Sequence, residues 1–139
     1  MDPGNKLGMV HVHDPRVRWS VRASEVLRIA SAAVEWHAVA VDALALIGAP
    51  AIARTGPHRV VIVRGRQGRD LALLAPGPID VADVDASDVL PLPAALAQTP
   101  EVSAIIVARD GSLSLLLEPS AVTIAHDTVP GEELCPSRS

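Results

Sequence analysis

His11 and His13 stand two residues apart, a spacing that puts both imidazoles on one side of an extended strand. Two such rings are the beginning of a metal site, but zinc needs further protein ligands. No third ligand stands nearby, and the single cysteine, Cys135, lies close to the C-terminus. Surface histidines on an edge strand are therefore the preferred reading. His37, His58 and His126 are isolated and read as solvated or internally satisfied. Four acids, Asp80, Asp83, Asp85 and Asp88, crowd residues 79–88. A calcium loop sets oxygen ligands at alternating positions around a glycine turn. Here the spacing is irregular, and Val81, Ala82, Val84 and Ala86 interleave as core residues, so a solvated strand face is expected. No serine lies in a Gly-x-Ser-x-Gly elbow. Gly65-Arg66-Gln67-Gly68 joins two strands rather than opening a helix, so it lacks the helix N-terminus of a phosphate loop. It reads as a hairpin loop, with Arg64, Arg66 and Arg69 as solvated charges. With no catalytic constellation, no metal site and no cofactor motif, a non-enzymatic binding or scaffold role is expected.

The elements that would position these residues are mostly strands. The 139 residues fit one domain. Hydrophobic residues make up 49%, yet Phe and Tyr are absent and only two Trp occur, so the core must be built from Val, Leu, Ile and Ala. Side chains this small must interdigitate from many strands to reach a native density of roughly 0.74–0.76. The net charge of −4 argues against nucleic acid, which requires clustered cations. Eleven of the twelve cations are Arg, and with the abundant Ala this composition suggests a high-GC bacterial genome. A lone cysteine gives no sign of an oxidising compartment. No apolar run reaches the roughly 18 residues of a membrane helix. The N-terminus lacks the pattern of a secretory signal, so a cytoplasmic protein without membrane insertion is expected.

Alternation predicts a hairpin over residues 9–21, turning at Asp14-Pro15. Residues 23–29 fit either a helical turn or a strand. A strand over 39–41 leads into a short helix over 42–47, stopped at Gly48. Residues 59–63 and 70–75 make the strongest hairpin of the chain, around Gly65–Gly68. Another strand covers 79–84, a turn 85–88, and Leu90-Pro91-Leu92-Pro93 is a rigid extended segment. Residues 102–108 and 112–117 form a last hairpin at Asp110-Gly111. Residues 119–124 suggest a closing helical turn. Residues 1–8 and 126–139 read as flexible ends. Many short strands between Gly and Pro turns point to an all-β sandwich or small barrels.

The order of these elements resembles the CheW-like domain of bacterial chemosensory coupling proteins. The motifs are Trp19-Ser20-Val21, then Val26 at the centre of a "V-x-E-V"-like stretch, then Val39-Ala40-Val41-Asp42-Ala43-Leu44 where the family has "P-V-V-D-L". Val60-Val61-Ile62-Val63, the Gly65–Gly68 hairpin, Ile79-Asp80-Val81, Pro91-Leu92-Pro93 and the hairpin ending at Glu118 follow in family order. Each motif is weak alone; their order and spacing carry the resemblance, over about residues 9–125. It implies two small five-stranded SH3-like β-barrels packed side by side, with one or two short helices. It implies as partners the signalling tip of a chemoreceptor and the regulatory domain of a histidine kinase. By position, Val26, Val60 and Leu71 would line the apolar groove that contacts the receptor, though each also suits the core of a strand. The family's proline-rich loop and Arg-Gly pair are missing from the bare bridge at 31–34, and Pro76 replaces a usual acid. Because the Arg-Gly pair serves coupling in typical members, a protein that binds receptor without kinase is a close variant. A reading of another class is a small-ligand-binding β-barrel. That would need a cavity with convergent polar groups, and the strands offer few buried polar candidates.

Overall fold

Lys6–Val12 (β1) and Trp19–Arg22 (β2) form the expected first hairpin, with Val10 opposite Val21 and Val12 opposite Trp19. A computed structural model describes residues 6–31, 39–52, 59–94 and 99–122. β1 starts earlier than its alternation indicates. Lys6, Leu7 and Gly8 pair with Asp85, Val84 and Asp83 of Ile79–Asp85 (β7), a distant ladder that supplies their backbone bonds. Residues 23–29 satisfy both alternatives: Ala23–Glu25 is a 3-10 turn, and Val26–Ala30 (β3) is a strand. Val39–Val41 (β4) precedes the four-residue helix Ala43–Leu46 (α1), and Gly48 follows with φ 104°, the positive value its stop requires. Arg59–Arg64 (β5) and Asp70–Ala75 (β6) form the predicted hairpin, closed by a 3-10 turn at Arg66–Gly68. Val89–Pro91 (β8), Val102–Val107 (β9) and Leu113–Leu117 (β10) complete the strands, and Pro119–Ala121 makes the closing turn.

The strands divide into two curled sheets, ordered β7-β1-β2-β10-β9-β8 and β3-β5-β6-β4. This is the all-β, two-barrel architecture expected, with six and four described strands in place of five and five. In the larger sheet the terminal strands β7 and β8 are consecutive in sequence, joined only by the 3-10 turn Ala86–Asp88. So short a link draws the two edges together and curls the sheet into a barrel. The same local sequence serves at the other crossing. Ala23-Ser24-Glu25-Val26-Leu27 carries the chain from β2 to β3, and Ala86-Ser87-Asp88-Val89-Leu90 carries it from β7 to β8. In both, the Val amide donates back to the Ala carbonyl.

Three apolar clusters follow from side-chain alternation. Met9, Ala104, Ile106 and Leu116 fill the larger barrel. Val60, Ile62 and Ala72 pack on one face of the smaller sheet. Between the sheets, Val10, Val12, Trp19 and Val21 of β1 and β2 meet Val61, Val63, Leu71 and Leu73 of β5 and β6. Two sequence expectations need correction. β1 is flanked by β2 and β7, so it is not an edge, and His11 is buried rather than on the surface. β7 is the edge instead, and Val81, expected in the core, is 64% exposed on it; Ala82 and Ala86 are exposed as well.

Candidate functional site

Directly paired residues share a face of a sheet. Val26 pairs with Val63, Val63 with Leu71, and Leu71 with Val39, so these four form one row across the smaller sheet. The middle of the row is covered by the larger sheet: Leu71 is 2% exposed. Val26, opening β3 directly after the 3-10 turn, is half-buried at the rim of that contact. Ile29, two rows along the same face and paired with Val61, is 36% exposed. Val60 pairs with Ala30 and Leu74 and points to the opposite face, where it is 1% exposed. The structure therefore brings Val26 and Leu71 together around Val63 and separates Val60 from them. The sequence did not single out Ile29; its alternation with Val26 across a β-bulge at Val26/Arg28 hides its face.

Polar groups lock the first hairpin to the segment after β4, at the edge of the smaller sheet opposite Val26. Asp14 and Arg16 flank Pro15 in the β1–β2 turn. The Arg16 guanidinium donates Nε to Asp14 Oδ1 at 2.9 Å and Nη2 to Asp14 Oδ2 at 2.7 Å. Its Nη1 donates to Asp42 Oδ2 at 3.0 Å and to the Pro50 carbonyl at 2.9 Å. Trp19 Nε1 donates to Asp14, and the Ile52 amide donates to Asp42. One side chain thus ties the first hairpin to both ends of the α1 segment. Burial alone pushes the Asp14 carboxyl up, but the hydrogen bonds from Arg16 and Trp19 outweigh it and hold the carboxyl below its usual range. The sequence marked Asp14-Pro15 only as a turn, because nothing local reveals that Asp42 arrives beside it.

The second polar group lies inside the larger barrel. His11 Nδ1 and Ser20 Oγ are 2.6 Å apart, and Ser20 Oγ and Ser114 Oγ are 2.6 Å apart, all three residues buried. His13 Nε2 lies 2.8 Å from Asp80 Oδ2. Burial, the largest influence, lowers the His11 pKa, with Arg18 and His13 adding to it and Asp80 opposing. Both histidines come to Asp80, His11 opposite it in the β1–β7 ladder and His13, one residue past the end of β1, bonded to it. Among the described residues no group of three or more His, Cys, Asp or Glu is placed to hold a metal ion. Arg64, Arg66 and Arg69 are exposed around their hairpin.

No family model matches the sequence, and no curated protein matches it. Among solved structures, the scaffolding protein TtCheW from Thermoanaerobacter tengcongensis superposes with a TM-score of 0.64. The match covers 82% of this chain and 90% of that one, at 13% identity. The fold is CheW-like. Nearly all of the TtCheW chain has a counterpart here, so the CheW-like fold is present as a whole and not as one barrel of it. The bridge at 31–34, where the motif comparison found the Arg-Gly pair missing, lies outside the described residues after Ser31. No helix among the described residues is long and apolar enough to cross a membrane.

Proposed function

We propose that this chain is a chemosensory adaptor without catalytic activity, joining a chemoreceptor signalling tip to the regulatory domain of a histidine kinase. The observation that carries the reading is the match to a scaffolding protein over both barrels. The physical support is an apolar rim, Val26 and Ile29, on a sheet whose other edge is tied to the first hairpin by Arg16. An amphipathic receptor helix requires such a rim: aliphatic anchors at the surface, held on strands that do not move. In this proposal Val26 touches the partner, Leu71 supports it through Val63, and Val60 shapes the opposite face of the same sheet. The absent Arg-Gly pair makes a narrower form the alternative, in which the receptor is bound and the kinase is not.

The test is a pull-down of the full chain with a receptor signalling tip and, separately, with a kinase regulatory domain. Retention of the receptor tip supports the adaptor reading, and the kinase arm separates its two forms. Retention of neither ends it. Val26→Asp is expected to remove receptor binding with the circular dichroism spectrum unchanged. Val60→Asp and Leu71→Asp place a charge in the core and are expected to unfold the chain.

A further inference from the structure

The interior of the larger barrel is graded along its axis. Register and alternation stack its inward residues in layers. The layer around Met9, Leu116 and Ile106 is apolar. The next holds His11 opposite Ser20 on one side and opposite Asp80 on the other, with Ser114 bonded to Ser20. A cavity of about 290 Å³ runs along the β7 side of the barrel, from Lys6 and Asp85 at one end to His13 at the other, where Arg18 and Arg109 stand in its wall beside His11. Barrel mouths with a few convergent polar groups are common ligand sites, and this volume is just below the roughly 300–1,000 Å³ of drug-sized pockets.

We propose that this barrel mouth binds the oxyanion head, phosphate or carboxylate, of a small molecule through Arg18 and Arg109, with His11 at its floor. Arg18 Nε is buried and finds no acceptor among the described residues. A buried guanidinium N–H without an acceptor carries its desolvation penalty unrelieved, and an oxyanion offers the acceptor it needs. The other cations of the wall are already engaged, Lys6 by Asp85 at 3.0 Å and His13 by Asp80 at 2.8 Å. Arg18 also acts on the exposed Asp110 carboxylate, which is not part of the lining, so its buried Nε and the Arg109 guanidinium are the donors left for a ligand. The aspartates of this wall, Asp80, Asp83 and Asp85 on β7 and Asp88 in the turn after it, set its size and type. They repel a polyanion, and Asp83 and Asp88 favour a ligand whose remainder carries hydroxyl or ammonium donors. The cavity lining does not include Val26, and the proposal does not rest on the adaptor reading, so either can fail alone.

The experiment is a heteronuclear NMR titration of the full chain with inorganic phosphate and with sodium acetate, against sodium chloride at matched ionic strength. Saturable shifts of the Arg18 Nε–Hε and the His11 and His13 ring signals, absent with chloride, are expected. Phosphate alone saturating identifies a phosphoryl head, acetate alone a carboxylate. Arg18→Ala, with its fold checked by circular dichroism, is expected to weaken binding about tenfold or more. Should that variant fail to fold, Arg109→Ala, on an exposed turn, is expected to weaken it as well. Shifts that do not saturate, shifts equal to those in chloride, or unchanged affinity in a folded variant overturn the proposal.

Discussion

Arg16 holds two carboxylates that water barely reaches: the Asp14 side chain is fully buried and that of Asp42 nearly so. Removing the cation leaves both charges in the interior. Arg16→Ala is expected to cost about 3 kcal/mol or more of stability, measured as a shift of the urea midpoint. Arg16→Lys keeps the charge but cannot reproduce the two-pronged contact with Asp14, and an intermediate midpoint is expected. A loss near zero for Arg16→Ala would show that the junction does not depend on this group. His11 gives a prediction in pH. Burial holds its folded pKa below 6.5, so below about that pH the unfolded chain binds more protons than the folded one. The His11 contribution is complete above the unfolded value and is lost as pH falls toward the folded one. Asp14, also held low, acts in the same sense at more acidic pH. The melting temperature should therefore fall more steeply for the wild type than for His11→Asn as pH drops from about 7 to about 5. Equal slopes would remove His11 from the account.

At the scale of elements, two glycines separate two kinds of constraint. Gly65 directly follows β5, and a Cβ there would meet the Arg69 carbonyl and the Leu71 side chain, 2.9 Å from its Cγ. The hairpin is drawn this tight because the Gly65 amide donates to that same carbonyl at 2.8 Å. Gly111 has open space around it but sits at φ 87° in the β9–β10 turn, where the Asp110 side chain accepts from the Ser112 amide. Gly111→Ala is expected to cost about 1 kcal/mol, the strain of a side chain in the left-handed region. Gly65→Ala should cost more, because backbone must move as well as one Leu. Thermal melts of the two variants check the order, and the reverse order would place the tighter constraint in the wrong hairpin.

At the scale of the molecule, the largest of the three clusters belongs to neither sheet alone. Val12, Trp19 and Val21 from one side and Val61, Val63 and Leu73 from the other are all 1% exposed or less. The crossing from β2 to β3 takes three residues. Barrels joined by so much shared apolar surface cannot unfold one at a time without exposing it to water. A single cooperative transition is expected, with calorimetric and van't Hoff enthalpies equal. Two resolved transitions would instead mean barrels that are stable separately. The adaptor reading benefits from this rigidity, since the rim at Val26 lies where the sheets meet.

Alternation of apolar residues and turn chemistry were enough to read the local structure. The β-branched run Val60–Val63, the glycine at 48 and the Asp110-Gly111 turn each produced the element their side chains favour. Motif order made the two-barrel arrangement legible too, although each motif taken alone is weak. Partnership was not legible, because pairing joins residues far apart and leaves no local mark. β7 lies beside β1, which buries His11 and exposes Val81. β10 runs parallel to β2, which brings Ser114 within 2.6 Å of Ser20. Period-two alternation then assigns each residue to a face, so Val60 and Val63, three apart, were bound to part company. The sequence by itself determined most of the strands, through alternation and turn chemistry, but left β3 open and read β8 only as an extended segment. Only the tertiary structure decided which faces they turn to each other and which they leave to solvent, because pairing joins residues far apart in the chain.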